Sequence, residues 1–149
     1  MNALVLLLLV AGFLPAADKS KDESVDKDIE ILRGKWYFVM QKDADNDKSP
    51  GSIVFSKDKM TIRLPAVEEA SVHPYMIEPG ADPKAIDILY PDAMKTDARR
   101  LGIYSIERVG QKDRLKICLA VSFGQERPKD FSVKRNTEVF VLERNNLWW

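Results

Sequence analysis

The sequence predicts an all-β fold with one short helix ahead of the first strand. Two observations carry this. From Gly34 to Arg144, apolar and polar residues alternate with a period of two in eight short runs, as strands with one buried face require. Polar turns separate neighbouring runs and no helical stretch intervenes, so the βαβ spacing of a parallel sheet is absent. Many short strands at even spacing read as a sandwich or an up-and-down barrel. After its uncharged leader the chain is long enough for one domain and too short for two.

The elements follow in order. Met1–Ala17 carries no charged side chain. An apolar run, Pro15 and the small residues Ala16 and Ala17 read as a cleaved signal peptide over 1–17. It falls short of the about 20 residues that span a bilayer, so no stable membrane insertion is expected after cleavage. An uncleaved anchor and a buried helix are the lesser readings. The only cysteine, Cys118, lies far downstream, so lipid anchoring at a leader cysteine is not expected. Residues 18–28 are polar and mixed in charge and read as a flexible lead-in. Val25, Ile29 and Leu32 then fall at helical spacing on one stripe. The barrel or sandwich domain occupies residues 29–149.

Strand period begins at Gly34, with Trp36, Phe38 and Met40 on one face. Ser52–Ser56 and Met60–Leu64 flank the polar turn Lys57-Asp58-Lys59, a hairpin by length. Ala70–Glu78 is a weaker strand in which Pro74 suggests an edge or a bulge. A turn at Pro79–Pro83 precedes Ala85–Tyr90, and a loop runs on to Arg100. Leu101–Arg108 and Arg114–Ala120 form a second hairpin about Gly110. Ser122–Asn136 is a long polar connection, and Thr137–Arg144 is the last strand.

Composition excludes several functions. The 23 basic and 23 acidic residues cancel, so bulk attraction to nucleic acid is excluded. A single cysteine forms no internal disulfide, and Cys118 reads as a structural thiol. Asp43, Asp45 and Asp47 start a calcium-loop pattern that fails at Lys48, where glycine is needed, and at Val54, where a bidentate glutamate is needed. One histidine, His73, and one cysteine make no zinc site without two carboxylates brought from elsewhere. There is no Gly-rich phosphate loop and no nucleophile elbow. Glu68 and Glu69 point to opposite faces of an extended segment and make no carboxylate dyad. No catalytic, metal or cofactor residue is assigned, and no enzyme activity or cofactor is expected. Glu126, Arg127, Pro128 and Phe131 mark the candidate mouth loop, a lip over one end of a barrel. A solvated connection held by one anchor is the plainer reading.

Gly34-Lys35-Trp36 after a short helix resembles the Gly-x-Trp start of lipocalins, and Arg144 holds the place of their basic residue on the last strand. More closely, the chain resembles the lipocalin-like domain family of planctomycete bacteria. The matching stretches are Leu32–Trp36, Pro83–Ile88, Gly102–Tyr104, Leu115–Ala120 with Glu126–Pro128, and Val141–Arg144. The Asp43–Asp47 loop and the tail ending in Trp148 and Trp149 depart from it. The resemblance implies an eight-stranded antiparallel, lipocalin-like up-and-down barrel with Gly34, Trp36 and Arg144 as fold signature. It implies that Arg144 lies across Trp36, and it implies no established activity or ligand. The expected role is an exported, periplasmic or extracellular, non-enzymatic domain. Its partner is a small or extended ligand, or a protein, met at one barrel mouth. The alternative is a structural or interaction module with a filled core.

An interior that is apolar and mostly filled, with any ligand site shallow and at one mouth, follows from the alternation. Trp36, Phe38, Met40, Met60, Ile62, Leu64, Ile86, Ile88, Tyr104, Ile106, Leu115, Ile117 and Leu119 turn inward. On the last strand Phe140/Leu142 and Val139/Val141 are both apolar, and Phe140 and Leu142 are taken as the inward pair. Tyr75 or Met76 serves for the Pro74 strand.

Overall fold

Period-two alternation becomes eight strands in the computed structural model, which describes residues 19–39, 51–65, 67–91 and 98–145. A helix α1 (Lys19–Leu32) leads into β1 (Gly34–Phe38), β2 (Ser52–Phe55), β3 (Lys59–Arg63) and β4 (Ser71–Glu78). Then come β5 (Ala85–Leu89), β6 (Arg99–Val109), β7 (Lys112–Ala120) and β8 (Thr137–Asn145). Each strand pairs antiparallel with the next, and β8 returns to β1 to close the barrel. This is the lipocalin-like up-and-down barrel with a preceding helix, and the barrel alternative prevails over the sandwich. Closure leaves no open edge among the eight strands.

The register confirms both hairpins: Phe55 faces Met60, and Val109 faces Lys112. Gly110 supplies the positive φ of 63° that the tight β6–β7 turn needs. Pro74 marks neither an edge nor a bulge. Residues Ser71–Pro74 of β4 pair with β3, and Tyr75–Glu78 pair with β5. The proline stands where the strand changes partners, so its missing N–H falls at the hand-over.

Up-and-down order sorts the connections. Those of β2–β3, β4–β5 and β6–β7 are short and share one end of the barrel with α1. The four longer ones, including 121–136, share the other end. The α1 end is closed and filled. Leu32, Trp36, Phe55, Tyr104, Leu115 and Leu142 are almost fully buried there, each contributing about 1.5–3 kcal/mol by leaving water.

The stretch expected as a flexible lead-in is helical from Lys19 on. Asp28 stands in the same stripe as Val25, Ile29 and Leu32 and is itself buried. The helix ends as Arg33 N–H donates to the Ile29 carbonyl, and Gly34 turns the chain into β1 at φ 106°.

Inward residues are those the alternation names. Ile86, Ile88, Ile117 and Leu119 are buried, and Phe38, Ile62, Ile106 and Phe140 pack against the core. Tyr75 serves for β4, while Met76 faces outward and is half exposed. Leu64 lies past the end of β3 at the rim and is 47% exposed. Met40, the Asp43–Asp47 loop, the 1–17 leader and the Trp148–Trp149 tail lie outside the described residues.

Candidate functional site

The open end of the barrel holds a cavity of about 320 Å³, within the lower range for small-molecule pockets. Its floor is Ile53, Met60, Ile88 and Ile117, all buried core residues. Its walls are Phe38, Ile62, Leu119 and Phe140, with Leu64 and Tyr90 toward the rim. The expected filled interior therefore holds for the closed half. The open half is hollow to a greater depth than a shallow rim site. The reason is side-chain supply: β4 sends Ser71 and His73 inward at this level, where a large aliphatic residue would have filled the space.

Four polar side chains share the apolar lining: Ser71, His73, Arg100 and Glu138. Arg100 stands inward opposite Ile88 in the β5–β6 register. Its Nη2 donates to Glu138 Oε2 at 2.7 Å, and its Nε donates to the Ala120 carbonyl at 2.7 Å. Arg100 is the buried member of the ion pair, with its side chain 16% exposed against 46% for Glu138. The ring of His73 lies 4.4 Å from that of Tyr90, and Phe123 continues the cluster at 5.1 Å. Burial pushes the His73 imidazole below its ordinary pKa, against the opposing effect of a hydrogen bond to the Leu89 backbone. It is accordingly neutral at pH 7.

The signature residues gather at the opposite end. The Arg144 guanidinium lies over the Trp36 ring at 4.2 Å from the centroid, as the resemblance implies. Its Nη1 donates to the Arg33 carbonyl at 2.8 Å, and its Nε and Nη2 reach Asp113 Oδ2 at 3.3 and 3.2 Å. Trp36 Nε1 donates to the Leu32 carbonyl at 2.7 Å. Gly34 is the turn on which these contacts converge. A second cluster fixes α1: Asp28 Oδ2 accepts from the Tyr104 hydroxyl at 2.5 Å and from Lys84 Nζ at 2.7 Å. Burial, then the bond to Asp28, pushes the Tyr104 phenol well above its usual range. All the polar groups named here are engaged with one another, so this end is a structural closure.

The loop expected as a lip runs elsewhere. Arg127 stands on the outer wall, where its Nη1 donates to the Gly102 carbonyl at 2.6 Å and approaches that of Ile86 at 3.4 Å. The same nitrogen is 2.7 Å from Asp87 Oδ1. Its N–H groups are aimed at the carbonyls, so that carboxylate oxygen is compensated by charge without an aligned hydrogen bond. Pro128 is buried, Phe131 half-buried and Glu126 exposed. The loop thus covers outward-facing Ile103, Cys118 and Ala120, all nearly fully buried. Burial pushes the Cys118 thiol upward in pKa, as befits a structural residue. A shallower cleft of about 290 Å³ between Arg127, Asp87 and β4 lies on this wall. Glu126, Arg127, Pro128 and Phe131 therefore belong to a strap rather than a lip. Only Phe123, at the start of the loop, reaches the mouth cluster.

Sequence reasoning missed Arg100, Glu138, Ser71 and His73 as mouth residues. Their signal was parity: each falls on the inward face of a strand whose other inward residues are large and apolar. Among the described residues, no three His, Cys, Asp or Glu side chains are grouped to hold a metal, and no helix is long and apolar enough to cross a membrane. Comparisons with protein-family models, with curated proteins and with solved structures found no match to this chain.

Proposed function

We propose that the chain is an exported, non-enzymatic binding domain, akin to the planctomycete lipocalin-like domains it resembles, which takes a small ligand into the open mouth of its barrel. The observation that supports this most directly is the cavity itself: about 320 Å³, apolar in its floor and walls, with a few polar groups among them. That combination is what small-molecule sites share. Export rests on the uncharged Met1–Ala17 leader and the abrupt onset of charge at Asp18. The domain then works in the periplasm or outside the cell.

Two measurements test the reading. A hydrophobic fluorescent dye titrated into the folded protein binds saturably with unit stoichiometry, and Ile62→Trp, which fills the cavity from its wall, abolishes that binding while the protein stays folded. Native mass spectrometry of the protein from its own envelope fraction then shows a co-purifying small molecule. If the dye binds equally to wild type and Ile62→Trp, the mouth is not the site. If neither dye nor cellular molecule binds, the alternative of a structural module stands, a reading favoured by the dense packing of the closed half.

A further inference from the structure

The mouth carries its own counter-charges. Among the described residues, the only formally charged side chains lining the cavity, Arg100 and Glu138, are paired with each other at 2.7 Å. The Arg100 fork is additionally held by the Ala120 carbonyl. A ligand bearing a net charge meets no uncompensated opposite charge among the described lining residues. To gain a full counter-charge it has to break the pair, leaving behind a lone Glu138 or a partly buried, unpaired Arg100. An anionic head that uses only the Arg100 N–H groups not held by Glu138 and Ala120 sits beside the Glu138 carboxylate. Bringing an ion into an apolar cavity without a partner is strongly unfavourable, whereas a hydroxyl or amide needs only one or two hydrogen bonds. Those are at hand. Ser71 offers a hydroxyl that both donates and accepts. Neutral His73 donates through one ring nitrogen to the Leu89 backbone, which leaves the other as an acceptor with no partner among the described residues. The apolar floor takes the body of the ligand and these two groups on β4 take its head.

Resting on the binding role proposed above, we infer that the mouth selects an uncharged amphiphile: an apolar body with a single hydroxyl or amide head, bound beside a charge pair that excludes ionic heads. The pair thus acts as a specificity determinant without contributing net attraction.

Three probes with one chain and different heads test this: decanol, decanoate and decylamine, each titrated at pH 7 against the bound dye. The wild-type protein is expected to bind decanol at least about tenfold more tightly than either ion, equivalent to about 1.4 kcal/mol. Glu138→Gln, at a half-exposed position where folding is not at stake, uncovers Arg100. In it the order of decanol and decanoate reverses while decylamine stays weak. Arg100→Gln uncovers Glu138 and raises decylamine instead. Decanoate or decylamine binding the wild type as well as decanol does overturns the selectivity and leaves the binding role standing. Equal behaviour of the two variants toward the ions overturns the part assigned to the pair. Displacement of the dye by none of the three removes the binding role and the selectivity together.

Discussion

Replacing Arg144 by methionine keeps most of the aliphatic stem and removes the guanidinium, which isolates what that group does. The structure gives it three partners. It lies 4.2 Å from the centroid of a fully buried Trp36, a cation–π contact of about 1–2 kcal/mol when partly desolvated. Its Nη1 donates to the Arg33 carbonyl at 2.8 Å, at an exposed position. A charge-assisted bond there contributes about 1 kcal/mol. Its ion pair with Asp113, at 3.2 Å with both side chains about one-fifth exposed, adds about 0.5 kcal/mol after screening. Together Arg144→Met is expected to lose about 3 kcal/mol, a large share of the about 5–15 kcal/mol typical of a domain. Arg144→Lys retains the charge but loses the planar fork and is expected to lose about half as much. Urea denaturation followed by far-ultraviolet circular dichroism measures both; Trp148 and Trp149 confound a fluorescence readout. An Arg144→Met variant within about 0.5 kcal/mol of wild type, the usual range for surface substitutions, refutes the view that this residue locks helix and strands together.

Four further outcomes are expected. Gly102→Ala should destabilise the barrel by about 1–3 kcal/mol on chemical denaturation, because a Cβ there meets the Cys118 carbonyl at 2.8 Å and the Leu119 side chain. Asp28→Ala should cost about 1–3 kcal/mol by leaving the buried Tyr104 hydroxyl without its acceptor, and Tyr104→Phe in the same background should recover part of that loss. Stability should fall as pH drops below the ordinary histidine value of 6.5: His73 has a lowered pKa when folded, so the unfolded chain takes the proton first. His73→Gln should flatten that slope in urea midpoints taken between pH 5 and 7. N-terminal sequencing of the exported protein should find Asp18 or Ala17 first, and a mature chain that begins at Met1 defeats the signal-peptide reading.

The barrel was legible because parity is a strong signal wherever one face of a strand is apolar. For β7, Leu115, Ile117 and Leu119 alternate with Arg114 and Lys116, and a slip of one residue would bury both charges. The last strand shows where parity fails alone: Val139, Phe140, Val141 and Leu142 are all apolar, and pairing to β7 turns Phe140 and Leu142 inward opposite Ile117 and Leu115. The helix start was misjudged because residues 19–24 offer no apolar stripe, and helical continuity there comes from propagation rather than pattern. Asp28 shows a different limit. A lone acid in an apolar stripe has meaning only beside its partners, and Tyr104 and Lys84 lie 76 and 56 residues away. The outer-wall course of the Arg127 loop is equally non-local, since its anchors are backbone carbonyls of β5 and β6 that no side-chain pattern announces.

The two ends of the barrel differ in how their polar capacity is used, and that difference supports the mouth as the site of the proposed binding. At the closed end, the Arg144 guanidinium, Trp36 N–H, Tyr104 hydroxyl, Lys84 ammonium and Asp28 carboxylate all have partners within the chain. A ligand arriving there displaces an existing bond and gains little. At the mouth, Arg100 and Glu138 are paired but the Ser71 hydroxyl and one nitrogen of His73 are not engaged by any other described residue, and they border apolar surface that nothing in the described chain covers. Apolar area and spare hydrogen-bonding capacity together are what a small molecule can exploit. Substitutions at the closed end should therefore act on stability, and those at the mouth on binding. A seat for a ligand is easiest to maintain in a barrel whose closed end is fixed independently of it, because a half-filled interior forgoes packing that the helix, Trp36 and Arg144 supply elsewhere.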